Sequence, residues 1–467
     1  MKNSILIILA CFLIASPVFS QDITGQWNGV LKVQGIQLRL VFNISRTDSG
    51  YVSTMDSPDQ GAKGIPTSTT SFKDSVVKIT LDKLHIDFEG KLGQDNHIVG
   101  TFKQNGMSFP LNLSREFVEK EEILRPQEPK KPYPYYVEDV TFENKKAGIS
   151  LAGTLTMPEK EGVFPAVVLI SGSGAQNRDE EILGHKPFLV IADFLTRNGI
   201  AVLRYDDRGT ASSTGDFKSA TSADFATDVE SAVTYLSTRK EINKKKIGLI
   251  GHSEGGIIAP MVAASSKKVD FIVLLAGTGI RGDQLLLLQQ RLIGKASGIN
   301  DADLNKNESI NKKAFDLVRT AKSTEQLKSE LTDFLKQTMK ANPEEKAPDG
   351  MSEEEYLAIQ VNQLISPWMQ FFIKYDPAPT LERVKCPVLA LNGQKDLQVP
   401  PEINLEAIKN ALTKGGNKKV ATMELPGLNH LFQECNTGSP TEYASIEQTF
   451  APSALAVILK WIQEQTR

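Results

Sequence analysis

Several things are scarce in this sequence, and each scarcity excludes something. Only three of its 467 residues are cysteine, and one of these, Cys11, falls within the first twenty. A disulfide-stapled scaffold is excluded on that count. Charge of one sign is also missing. There are 53 basic and 56 acidic residues, a net charge of −3, so the chain has no basic footprint for nucleic acid. The local run Arg239 to Lys246, "RKEINKKK", reads as a solvated loop. Beyond the N-terminus no apolar run is long enough to span a bilayer. Histidine is scarce too, with five in all.

What is present begins with a targeting pattern. Lys2 supplies positive charge, Ile5 to Ile14 is apolar, and Ser16 to Ser20 offers residues compatible with cleavage before Gln21. Residues 1–20 are therefore expected to be a signal peptide. The mature chain is expected to be exported, periplasmic or secreted. A lipoprotein cut before Cys11 is disfavoured, because it would split the apolar run. Of the two remaining cysteines, Cys386 opens one predicted strand and Cys435 lies past the far end of its neighbour. A strand spans roughly 20 Å, too far for a disulfide. Both are expected as free thiols.

The composition, 40% apolar and 23% charged, is globular, and the length suggests more than one domain. Residues 21–114 read as an all-β barrel or sandwich. In "GIQLRLVFNIS" the even positions Ile36, Leu38, Leu40, Phe42 and Ile44 are apolar and most odd ones are polar, the period of a strand with one buried face. "SVVKITL", "HIDFEG", "HIVGTFKQ" and "SFPLNLS" continue the pattern between turn residues. Gly25-Gln26-Trp27 resembles the Gly-x-Trp opening of lipocalin-like barrels. Residues 115–136 carry Pro126, Pro129, Pro132 and Pro134 among charges and read as a linker.

From residue 137 to 467 apolar strands alternate with amphipathic helices, the pattern of an α/β fold with a mostly parallel sheet covered on both faces. One such helix, "SADFATDVESAVTYLST", is signalled at its start by Ser222 and gathers Phe225, Val229, Ala232, Val233 and Leu236 on one side. The alternation breaks at about 278–380, where helical stretches stand between two sheet strands. An insertion of that length predicts a helical cap over a site.

The chemistry concentrates in Gly251-His252-Ser253-Glu254-Gly255. The buried strand "KIGLI" precedes this G-x-S-x-G and the helix "GGIIAPMVAAS" follows it, so Ser253 falls on a strand–turn–helix elbow where a nucleophile is exposed. A serine nucleophile needs a base. His85 and His97 lie in the β domain, His185 precedes an early helix, and His252 adjoins the serine and is read as structural. His430, in a loop after a sheet strand, remains. The orienting acid should lie between serine and histidine in the chain. Asp396 follows the strand "PVLALNG", whereas Glu402 and Glu406 fall on the next helix. An oxyanion needs two donors. The Glu254 N–H is one, and the loop "GSGAQNRDE" offers the N–H of Ser173, with Gly174 next.

Together, G-H-S-E-G, "GSG…NRDE", "YDDRGTASSTG", "NGQKDLQVPP" and "PGLNHLFQ" resemble the α/β-hydrolase superfamily. More narrowly, they are similar to bacterial two-domain carboxylesterases, which stand close to serine aminopeptidase-like hydrolases. The resemblance covers about Val137 to Arg467. It implies a Ser253–Asp396–His430 triad, an acyl-enzyme intermediate, short acyl esters as substrates, neither metal nor other cofactor, and homodimers as a common assembly. Arg208 is expected to brace its loop. The β domain lies outside the resemblance.

The reading therefore favours a serine carboxylesterase acting on a small acyl ester. Thioesterase and aminopeptidase action share the same tetrahedral chemistry and stay open. So does an inactive binding protein that uses its β domain. An aminopeptidase would want acidic groups to grip an amine, but the acids of "SEEEY" open a helix and suit its dipole. A dipeptidyl peptidase normally carries a much larger accessory domain. "SPWMQFFIKYDP" brings Trp368, Phe371 and Phe372 together as candidate lining of an acyl pocket, or else as cap core.

Overall fold

The computed structural model describes residues 22–33, 36–104, 107–117, 119, 124–342, 347 and 351–467. The expected signal peptide and Cys11 lie outside the described residues. The chain divides into two compact units, with the cut between residues 120 and 121 and residues 34–36 grouped with the second.

The first unit is an antiparallel meander. Its strands are β1 (Gly25–Val33), β2 (Ile36–Thr47), β3 (Gly50–Ser57), β4 (Ala62–Pro66), β5 (Thr69–Lys73), β6 (Val76–Leu81), β7 (Ile86–Leu92), β8 (Ile98–Gln104) and β9 (Met107–Leu113). β1 to β4 form one sheet and β5 to β9 another. Asn28 and Ser114 exchange backbone hydrogen bonds of 2.7 and 2.8 Å, joining β1 to the end of β9. The Ser53 and Thr70 hydroxyls meet at 2.7 Å between β3 and β5. The two sheets thus curl towards a small barrel. Its inside is filled by its own side chains, with Trp27, Phe42, Phe88, Phe102, Ile79 and Ile98 fully buried. Trp27 donates its indole N–H to the Ile23 carbonyl at 2.8 Å, and the Arg115 guanidinium covers its ring at 3.9 Å. Gly25-Gln26-Trp27 therefore anchors this core.

The second unit contains an eight-stranded sheet in the order β10-β11-β13-β12-β14-β15-β16-β17. The strands are β10 (Tyr136–Asn144), β11 (Ile149–Met157), β12 (Phe164–Ile170), β13 (Ala201–Tyr205), β14 (Ile242–His252), β15 (Phe271–Leu275), β16 (Val388–Gly393) and β17 (Val420–Leu425). β10 and β11 are antiparallel to their neighbours, and the pairs from β13 onward are parallel. Both faces are covered, so successive residues of a strand are apolar yet enter different cores. Val167 and Leu169 pack with helices α1 (Pro187–Arg197) and α11 (Pro452–Thr466). Val168 and Ile170 pack with α2 (Ser222–Thr238), α3 (Gly255–Ser265) and α10 (Pro401–Lys414). This is the α/β-hydrolase architecture expected from the sequence. On α2 the N-cap is Thr221 rather than Ser222: the Thr221 N–H donates to Asp224 Oδ2 at 2.9 Å. Ser222 points its hydroxyl elsewhere, as described below.

Between β15 and β16 the chain forms α4 (Gly282–Ala296), α5 (Asp301–Thr320), α6 (Thr324–Ala341), α7 (Glu353–Leu364), α8 (Pro367–Lys374) and α9 (Ala378–Leu381). Phe315, Val318, Leu327, Leu331, Val361 and Ile373 give these helices a core of their own. The segment expected as a linker is docked over its described second half. Arg125 donates to the carbonyls of Ala444 and Ile446 at 2.7 and 2.6 Å, and the Gln127 amide donates to that of Phe450 at 2.6 Å. The local composition of prolines and charges could not show partners more than 300 residues away. Cys386 and Cys435 are both free thiols, and burial pushes the Cys386 thiol up to about 12. Among the described residues no helix is long and apolar enough to cross a membrane.

Candidate active site

β14 runs into α3 through a turn that only small residues allow. Ser253 sits at φ 51°, in the left-handed region, and its N–H donates to the Leu275 carbonyl at 2.8 Å. A β-carbon on Gly251 would lie 2.0 Å from the Gly255 carbonyl oxygen, and one on Gly255 would lie 2.2 Å from that of Ile170. Both contacts are with backbone and cannot be relieved by a side-chain rotation. Gly255→Ala is expected to cost about 3 kcal/mol, the upper end for overpacking, and to lower the thermal midpoint and any activity together. An unchanged melting curve would show that the turn is not this tight.

Asp396 and His430 come from the loops after β16 and β17, at the same sheet edge as the elbow. Both are buried, and His430 Nδ1 lies 2.8 Å from Asp396 Oδ2. The other carboxylate oxygen, Oδ1, accepts the N–H groups of Gln398 and Val399 at 2.8 and 2.9 Å. Asn392 donates to Oδ2 at 3.3 Å. A carboxylate held this way has one direction left in which to orient an imidazole. Ser253 and His430 both line a cavity of about 220 Å³ beneath α4 and α8. An imidazole oriented by a buried carboxylate in the cavity that a serine also lines can serve as a general base.

Of the expected oxyanion donors, Glu254 and Ser173 line this cavity and Gly174 does not. The first loop amide, that of Gly172, is already spent on Glu180 Oε1 at 2.6 Å. Buried acids pin the rest of that loop. Asp207 accepts from the Ser171 hydroxyl at 2.8 Å and the Gln176 N–H at 3.0 Å, and Asp206 takes the Arg178 guanidinium at 2.7 Å. Burial pushes the Asp207 carboxyl up to about 8. Arg208 braces its own loop as expected, gripping Asp228 with two hydrogen bonds of 2.7 and 2.9 Å.

Trp368 and Phe372 line the cavity with Leu285 and Leu286, and Phe371 does not. The helix explains the split. Positions 368 and 372 stack on one face of α8 at 5.1 Å between centroids, while Phe371 turns about 100° away and stacks on Tyr375 at 5.4 Å. His185 is buried against Thr449, the Tyr443 carbonyl and Gln433, and burial pulls it down to about 4.

Sequence reasoning missed the side chain of Glu254. Its buried carboxylate accepts from Ser222 Oγ at 2.5 Å and from Trp368 Nε1 at 2.8 Å, tying α2 and α8 to the elbow. Burial raises this carboxyl, and its hydrogen bonds only partly oppose that. Among the described residues no cluster of His, Cys, Asp and Glu could hold a metal ion.

The model of the X-Pro dipeptidyl-peptidase (S15) family matches residues 121–419, well over half of the chain. The chain belongs to the S15 family. That match takes in Ser253 and Asp396, ends before His430 and leaves the β barrel outside. Esterase EstD of Thermotoga maritima is 34% identical over 186 residues, 38% of this chain and 44% of EstD. The uncharacterized protein PA2218 of Pseudomonas aeruginosa is 31% identical over 137 residues, 29% of this chain and 35% of PA2218. The chain thus spans less than half the length of either relative. Among solved structures, the Pyrococcus furiosus esterase Pf2001 superposes with a TM-score of 0.44 at 14% identity, over 75% of this chain and 100% of that one.

Proposed function

We propose that this S15-family protein is a serine hydrolase that cleaves small acyl esters. Ser253 attacks the acyl carbon, His430 takes its proton and returns it to the leaving alcohol, and Asp396 orients His430. Water then releases the acyl group from Ser253 by the same proton path. The N–H groups of Glu254 and Ser173 receive the oxyanion. The observation that carries this reading is the Asp396–His430 contact of 2.8 Å, with His430 and Ser253 lining one cavity.

The choice of ester over peptide rests on the cavity's two acids. A dipeptidyl-peptidase must hold a free ammonium with an available carboxylate. Glu180 is occupied by Gly172 and His252, and Glu254 by Ser222 and Trp368. Neither is spare. The X-Pro dipeptidyl-peptidase activity that names the family favours the peptidase as the second reading, so the deciding assay sets nitrophenyl esters from acetate upward against Xaa-Pro nitroanilides. Ester turnover should dominate. Fast anilide cleavage with negligible ester cleavage would replace the first reading by the second. A fluorophosphonate probe should label the protein. A binding protein without hydrolase activity would not react.

The size of the cavity, about 220 Å³, suits a short acyl chain against Trp368 and Phe372. One methylene in an apolar pocket is worth roughly 1–3 kcal/mol. Trp368→Ala and Phe372→Ala are therefore expected to raise the hexanoate-to-acetate ratio of kcat/KM by about tenfold or more. Phe371→Ala should leave that ratio alone. Three identical chain-length profiles would remove the acyl pocket from α8.

A further inference from the structure

His252, next to the serine, is buried between two acceptors. Its Nε2 lies 3.0 Å from the backbone carbonyl oxygen of His430, and its Nδ1 lies 2.9 Å from Glu180 Oε1. A carbonyl oxygen only accepts, so Nε2 carries a proton. Glu180 Oε1 already accepts the Gly172 N–H at 2.6 Å. An oxygen receiving a backbone N–H on one side presents a lone pair to the ring on the other, so Nδ1 carries a proton as well. A neutral imidazole has only one N–H.

We infer that His252 is a doubly protonated imidazolium, ion-paired with Glu180, and that this pair positions the reacting groups. It ties three segments together. The His252 ring holds His430 by its carbonyl, and Glu180 holds the Ser173 loop through Gly172. The ring also sets a fixed positive charge beside the His430 ring, with centroids 4.9 Å apart. Burial alone would lower the His252 pKa. The Glu180 carboxylate and the His430 carbonyl outweigh it, and the net direction is upward.

The charge matters because His430 itself must become positive when it takes the serine proton. Four groups bear on it. Asp396 contacts it from the loop after β16, and His252 from the end of β14. Glu180 stands behind His252, and Tyr443 bonds to its backbone. Asp207 and Glu254 are the next buried acids, and Asp207 feels the charges of both Glu180 and Glu254. A lone carboxylate at Glu180 would favour the His430 imidazolium, and a lone cation at His252 would oppose it. Paired, they nearly cancel. Removing one partner of a buried pair exposes the charge of the other.

The kinetic part of this inference rests on the serine-hydrolase reading, but the protonation state does not. The test uses the mature full-length protein with 15N-labelled histidine, and the His252 signals are identified by their loss in His252→Gln. Both His252 ring nitrogens should carry protons at pH 7, and Glu180→Gln should remove one of these protons near neutrality. A single proton on His252 at pH 7 overturns the inference outright. The second arm is the pH profile of ester kcat/KM. His252→Gln should move the acidic limb upward by about one to two pH units, the size expected of one nearby buried charge. Glu180→Gln should not move it upward, and the double variant should return it close to its original place. A purely structural role would lower kcat/KM without moving the limb, and that result would overturn the positioning role. Fluorophosphonate labelling of the parent separates the two readings. If Ser253 does not label, the hydrolase reading fails while the His252 spectrum still decides the ion pair.

Discussion

Replacing Ser253 with alanine is expected to lower ester turnover by about 10⁶-fold, the loss seen when a comparable triad is deprived of its nucleophile. Labelling by a fluorophosphonate should vanish with it. The large figure follows from the role proposed for the hydroxyl. Without it no acyl-enzyme forms, and water must attack unaided. The oxyanion donors and the cavity would still give roughly 10³–10⁴ over the uncatalysed reaction, so the variant should be slow rather than inert. Its fold should survive. The strain at φ 51° is borne by the backbone of Ser253 already, and alanine has no larger a clash with the turn than serine does. The test is therefore clean. Equal melting curves with a collapse of both turnover and labelling support the assignment. Turnover within about a hundredfold of the parent would take Ser253 out of the reaction.

The elbow was legible because its signal is local. Two glycines, a serine and the change from strand to helix all occur within about one turn of chain, and the backbone geometry they demand is found there. Asp396 and His430 were legible for another reason. Each follows a sheet strand, and parallel strands deliver their following loops to one edge. What could not be read was the set of contacts between loops. His252 and Glu180 are 72 positions apart, and Glu254 and Trp368 are 114 apart. No periodicity links such pairs. A charged residue in a loop reads as solvated, and here Glu180, Asp206, Asp207 and Glu254 are buried among partners supplied by other loops.

The β barrel shows the same limit inside strands. β6 to β9 alternate cleanly and were read as strands. β3 turns Ser53 and Ser57 inward beside Met55, and Ser53 is satisfied by the hydroxyls of Thr67 and Thr70. Buried hydroxyls that bond to one another look polar in sequence, so the strand's buried face is disguised. β4 and β5 bury none of their residues fully and leave little pattern at all. On α8 the error was one of angle. Three aromatic residues within five positions look like one cluster, but a helix turns 100° per residue and sends Phe371 to a different neighbour from Trp368 and Phe372.

Asp396→Asn is the second large effect, and the hydrogen bonds around the carboxylate fix its direction. Oδ1 accepts two backbone N–H groups, from Gln398 and Val399. An asparagine must keep its carbonyl oxygen there, since turning its NH₂ towards them would leave buried donors unpaired, at about 1–3 kcal/mol each. Its NH₂ then faces His430 Nδ1, where Oδ2 stood at 2.8 Å. Nδ1 becomes the acceptor, and the ring's single proton moves to Nε2. That nitrogen is the one that must take the serine proton, so the base is blocked although nothing has moved. Turnover is expected to fall about 10⁴-fold, as it does when the same change imposes the wrong tautomer in a related triad. Fluorophosphonate labelling should slow in parallel, because it depends on the same base. The volume is unchanged, so thermal stability should fall only modestly, by the loss of the long Asn392 hydrogen bond and of the charge. The comparison with Asp396→Ala separates orientation from charge. Alanine leaves Nδ1 free to find a water and restores access to both tautomers, so it should retain at least as much turnover as asparagine. An asparagine variant within about tenfold of the parent would mean that another group orients His430, and the reading of the loop after β16 would have to be abandoned.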